Sequence, residues 1–201
     1  MFLAHLLYWT MPAALLLWIV ALWRSSSAGC GPQLGRDDAV RAAVAAVMVG
    51  IVAVALPPAM RMQFDDTSIC GIAQNMHEHR VAMMSMSGVP GPDGSLQVLD
   101  WNLDKRPPLV PFLVSVLHDL SGYRVHHAFV VNLVLTWLLL VGVGGVVARL
   151  GSTRGAALAA MVGVWALPLL WHVGTGAGLE VAFAVLMLVV GWMAREVARE
   201  P

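Results

Sequence analysis

Five side chains of this 201-residue chain have the types and positions that do chemistry. They are the adjacent carboxylates Asp65 and Asp66 in "QFDDTS", the adjacent cations Lys105 and Arg106 in "DKRPPL", and Glu180 in "GTGAGLE". A carboxylate held at the edge between water and bilayer can take a proton from a hydroxyl or amine, or help to hold a divalent metal. An ammonium beside a guanidinium can hold a phosphate, whether of a lipid headgroup or of a lipid-linked substrate. Each group also has a plainer reading. Asp65 or Asp66 can cap a helix whose first N–H groups lack partners. Lys105 and Arg106 can snorkel to phospholipid. Glu180 sits near the outer end of an apolar segment, where an ionisable group either pairs, faces a cavity or reaches the headgroups.

Histidines and methionines in "NMHEHRVAMMSM" invite a copper or zinc reading. On a helix His77 and His79 point in different directions, and neither has a carboxylate or cysteine three or four residues on to complete a tetrahedral site. No metal centre is expected there. "GTGAG" is no dinucleotide loop, because it follows a membrane helix rather than a strand. Gly142, Gly144 and Gly145 read as close helix packing.

The elements that must position these residues follow from composition. With 59% hydrophobic residues, 12% charged residues and a mean hydropathy of +0.75, the chain has too few charges to cover a water-soluble globule of this size. The zero net charge gives no basic field for nucleic acid. The expected fold class is therefore all-α: one integral-membrane domain over 1–201, a bundle of about five spans at 2–23, 42–60, 127–148, 155–171 and 179–194. The first span lacks the basic start of a cleavable signal peptide and reads as retained. Pro57 and Pro58 stop or kink the second.

Arg24, Arg36 and Arg41, then Arg149 and Arg154, then Arg195 and Arg199 fall on one side of a five-span chain, which places that side in the cytoplasm of an inner-membrane protein. The long loop 61–126 is then periplasmic or extracellular. Cys30 and Cys70 lie on opposite sides and are not expected to pair.

Within the loop, Ile69, Ile72, Ala73, Met76 and Met83 form an apolar stripe of the kind that lies along a membrane surface. After the turn-rich linker "SGVPGPDGS", Pro107 and Pro108 can open a helix over 109–120, and Gly122 can cap its end. At 12 or so residues it is too short to span and reads as interfacial or re-entrant.

In this order, "FDD", "DKRPPLVPFLVSVLHDLSGYR" and "GTGAGLE" resemble elements of membrane glycosyltransferases of the C-type (GT-C) fold, the group of protein O-mannosyl and lipid A aminoarabinose transferases. The resemblance covers about residues 42–194, the N-terminal half of such an enzyme. It implies transfer of a sugar from a polyprenyl-phosphate-linked donor to an acceptor on the outer face. One of Asp65 and Asp66 would be the catalytic base or metal-binding acid. Lys105, Arg106 and Glu180 would bind substrate, Lys105 and Arg106 near the donor phosphate or the acceptor. A divalent metal is the cofactor that this chemistry allows. Implied partners are membrane lipid, the lipid-linked donor and a second polypeptide supplying further spans. The alternative function is a small non-catalytic multi-spanning protein, a partner subunit or the remnant of a truncated transferase. A transporter would bury charge at mid-membrane and repeat its halves, and neither pattern is visible.

Overall fold

The computed structural model describes residues 2–27, 35–61, 63–90, 92 and 96–197. Cys30 lies outside them, so the expectation about its pairing is not addressed. The described chain is 74% helix, with eight helices. They are α1 (Phe2–Ser27), α2 (Arg36–Ala55), α3 (Gln63–His79), α4 (Leu109–Ser121), α5 (His127–Arg149), α6 (Arg154–Trp165), α7 (Pro168–Gly174) and α8 (Glu180–Val197). One hairpin, β1 (Met84–Pro90) against β2 (Leu96–Asn102), interrupts them.

Among the described residues two helices, α2 and α5, are long and apolar enough to cross a membrane; the pair α6 and α7 makes a third if it counts as one span, bent by 71°. That is fewer than the five expected. Pro168 removes a backbone donor and breaks the expected span 155–171 into two legs. The fifth segment is a helix, but Glu180, Arg195 and Glu196 fall within its 18 residues. In α1 the described apolar stretch, Phe2–Leu17, is short for a span. The second span ends earlier than expected, at Ala55. Leu56 caps it by donating to the Val52 carbonyl, and the two prolines that follow stop the helix rather than kink it.

The chain divides into two compact units. One gathers Met1–Gln33 and Gln63–Ala128, and the other Leu34–Met62 and Phe129–Pro201.

In the first unit α3 packs on α4, with α1 against α4 and the hairpin against α3. Its core is Tyr8, Ile72, Met76, Ala82 and Phe112. The stripe of α3 is thus core rather than membrane-facing: Ile69, Ile72, Ala73 and Met76 are all buried, while Met83 falls beyond the helix end. The first part of the expected linker, Ser87 to Pro90, is strand: it belongs to β1 and pairs with β2. Met84 pairs with Asn102 and Pro90 with Leu96, with register irregularities between Ser85 and Gly88 that mark a bulge.

In the second unit, Ala45, Met48, Leu139, Leu140, Met161 and Leu170 form the core. Indole N–H groups close backbone carbonyls between helices, Trp137 to Ala42 at 2.9 Å and Trp165 to Met48 at 3.1 Å. A Cβ at Gly142 would meet Leu188, and one at Gly144 would meet Met161 and Arg41, which is the close packing that those glycines suggest.

Candidate functional site

The site is built at the start of α3 and the entrance of α4. Asp65 and Asp66 both lie in the first turn of α3, facing the positive end of its dipole, rather than at a capping position before it. The chain reaches α4 through Pro107 and Pro108, whose fixed φ suits a helix start, and Pro108 is the residue before its first turn. Packing of α3 on α4 then brings the two motifs together although 41 positions separate them in sequence.

Arg106 is the link. Its Nη2 donates to Asp65 Oδ1 in an ion pair, and its Nη1 donates to Asp104 Oδ2 at 2.7 Å. The Asp104 carboxylate also accepts from the Arg106 backbone N–H at 3.2 Å. One guanidinium is thus clamped between two carboxylates, and the hydrogen bond to Asp104 raises its pKa against the opposing effect of burial. The two acids differ in setting. The Asp104 side chain is 7% exposed, whereas that of Asp65 is 41% exposed and open to a reactant. Asp66 is 2% exposed and faces inward. Lys105 is exposed beside this cluster.

Asp104 is the residue that sequence reasoning missed. Its signal was the Asp-x-Arg spacing ahead of the prolines, which lets a carboxylate turn back on the backbone N–H two residues on.

Glu180 belongs to the second unit, where it is exposed in the first turn of α8. The turn before it is held from two sides. Asn132 Nδ2 donates to the carbonyls of Gly176 at 2.8 Å and Gly178 at 3.1 Å, while Arg61 Nη2 donates to Thr175 Oγ1 at 3.0 Å. Gly174 to Gly178 are buried as a result.

A second polar cluster lies in the first unit, near the end of α3. His77 Nδ1 meets Asp119 Oδ1 at 2.6 Å, and Arg80 Nη1 donates to Asp119 Oδ2 at 2.5 Å and to Tyr8 Oη at 3.0 Å. Burial pushes the Asp119 carboxyl up, but the hydrogen bonds from Arg80 and His77 outweigh it and hold it below its usual range. Next to it His118 is 1% exposed and shares a 2.8 Å contact with His127. Burial first, then the neighbouring His127 and His77, pushes the His118 imidazole down to about 4. Burial, and to a lesser degree the Asp66 charge, pushes the Cys70 thiol up to about 11. Among the described residues no group of three His, Cys, Asp or Glu side chains is placed to hold a metal ion.

No protein-family model matches the sequence, and neither the curated proteins nor the solved structures contain a match.

Proposed function

We propose that the chain is a membrane glycosyltransferase, or the N-terminal part of one, that moves a sugar from a polyprenyl-phosphate carrier to an acceptor on the outer face. The single observation that carries this reading is the Asp65–Arg106 pair, which puts a reachable carboxylate next to a phosphate-binding cation. Asp65 takes the proton of the acceptor hydroxyl or amine. The acceptor atom then forms its bond to the anomeric carbon as the bond from that carbon to the phosphate oxygen breaks, with inversion. The electron pair leaves on the phosphate, where Arg106 and Lys105 neutralise it. Asp104 fixes the guanidinium so that no reorganisation is needed as charge develops. The GT-C resemblance makes Glu180, in the second unit, a substrate-binding residue.

The topology that belongs to this reading has five spans in an inner membrane, with the first unit's loop outside and the C-terminus in the cytoplasm. A second polypeptide supplies the spans that complete the donor pocket. The test is sugar transfer in membranes carrying the chain and its partner, with Asp65→Asn and Asp66→Asn compared against wild type at equal protein level. Loss of transfer with intact folding supports the base; full transfer by both variants overturns it.

The second reading, a non-catalytic membrane subunit, is favoured by the same clasp seen differently. Arg106 already has two carboxylate partners, as a purely structural guanidinium would. In that case Asp65→Asn lowers stability and no acceptor is ever glycosylated.

A further inference from the structure

We propose that His118, His127 and Ser121 form a proton relay through the buried corner where α4 hands over to α5, a function separate from sugar transfer and independent of it. The geometry rests on three contacts. His118 Nδ1 lies 2.8 Å from His127 Nδ1, His127 Nε2 lies 3.2 Å from Ser121 Oγ, and Ser121 Oγ lies 2.9 Å from the Leu117 carbonyl. Two neutral imidazoles meet nitrogen to nitrogen at that distance only as complementary tautomers, one donating and the other accepting.

Two arrangements satisfy the His118–His127–Ser121 row; the serine hydroxyl has one proton, so it serves the Leu117 carbonyl in the first and turns to His127 in the second. In the first, His118 Nδ1–H donates to His127 Nδ1, His127 Nε2–H donates to Ser121 Oγ, and the serine hydroxyl donates to Leu117. In the second, the serine hydroxyl donates to His127 Nε2 and His127 Nδ1–H donates to His118 Nδ1. The Arg124 backbone N–H, 3.5 Å away, then also aims at an acceptor. The arrangements differ by one proton moved along the row. A proton accepted at His118 Nε2 sends the Nδ1 proton of His118 to His127 Nδ1, and the Nε2 proton of His127 leaves by way of Ser121. One proton enters, one departs, and both rings end neutral.

The Ser121 end of the row is open, and the buried His118 end lies against His77. Ser121 is exposed, as is His126, whose ring stands 5.0 Å from that of His127. At the other end the ring of His77 is edge-on to His118 at 5.8 Å between centroids, and His77 is held by Asp119, itself bound by Arg80. The remaining groups that face the pair are Tyr123, with its ring 4.9 Å from His118, and Arg124. The balance of these neighbours and of burial keeps His118 uncharged at neutral pH, which a relay needs so that no ion is trapped inside.

The experiment uses the full chain, labelled with nitrogen-15 histidine, in lipid nanodiscs at pH 7. Nuclear magnetic resonance should show a coupling across the His118–His127 contact, with one ring protonated at Nδ1 and the other bare there. The buried proton should exchange with deuterated solvent, and Ser121→Ala should slow that exchange by about tenfold, the effect of losing one hydrogen-bonded step. His77→Gln should slow it from the other end with the coupling retained. An imidazolium on either ring at pH 7, or two rings both protonated only at Nε2, overturns the proposal. So does an exchange rate unchanged in both variants, which would mean that the proton escapes by local opening.

Discussion

Lowering the pH removes stability from the first unit through His118. The ring is buried, its value is about 4 when folded against 6.5 for an ordinary histidine, and a difference of about 2.5 units is worth about 3 kcal/mol. A histidine with a depressed folded value binds more protons unfolded than folded. Its contribution is therefore complete above pH 6.5 and is lost as the pH falls toward 4. One unit below the upper limit the loss is about 1.4 kcal/mol. Carboxylates with depressed values, Asp119 among them, act in the same direction but at lower pH, near and below their ordinary 3.8. Between pH 6.5 and 5 the acid sensitivity of this corner is therefore that of its buried imidazoles, His118 and, in the same direction, His127, whose value burial also lowers. The assay is thermal unfolding in nanodiscs across that interval, for wild type and His118→Asn, whose amide replaces one ring nitrogen without titrating. The variant should lose the His118 part of the slope and keep the part that His127 contributes. Equal slopes would refute the argument that burial of this ring sets the acid sensitivity.

Three further outcomes follow from particular contacts. Arg106→Gln should lower stability by about 1 to 3 kcal/mol, because the Asp104 carboxylate, 7% exposed, loses its guanidinium, while the solvent-open Asp65 side adds little. At equal folded protein it should lower sugar transfer by about 10² to 10³, as measured in membranes. Met76→Ala removes a fully buried side chain from the core under Tyr8 and Phe112 and should cost about 2 to 5 kcal/mol by chemical unfolding. Asn132→Leu leaves the Gly176 and Gly178 carbonyls without their donor, at about 1 to 3 kcal/mol for each buried group, and should raise hydrogen exchange in the turn before α8.

The sequence made the membrane class and most helix limits legible because those depend on local composition. The α4 helix falls where Pro108 and Gly122 place it, and Gly122 has the positive φ of +80° that a glycine stop permits. What stayed hidden depends on pairing over distance. The strands were signalled by Val89, Val98 and Trp101 on either side of the Gly- and Pro-rich stretch, which by itself reads as a linker. The stripe of α3 has the same pattern whether it faces lipid or a neighbouring helix, so only α4 and Tyr8 decide that it is core. For the site, the acids and the cations were each legible. Their union through Arg106 was not, since no periodicity links positions 65 and 106. Nor does spacing reveal that His118 and His127, nine residues apart, meet across the Gly122 turn.

The bend between α6 and α7 also affects depth. The legs of 12 and 7 residues rise about 18 and 10 Å, and at 71° to each other they reach end to end about 24 Å, against about 30 Å of hydrocarbon. If the pair crosses the bilayer it is too short by several ångström. Either the leaflet thins around it or the Thr175–Gly178 turn stays submerged. A submerged turn cannot rely on water for its carbonyls, and this one does not: Asn132 serves Gly176 and Gly178, and Trp171 Nε1 serves the Trp165 carbonyl at the break, at 2.7 Å. The protein thus supplies from its own side chains the hydrogen bonds that this turn and this break would otherwise draw from water.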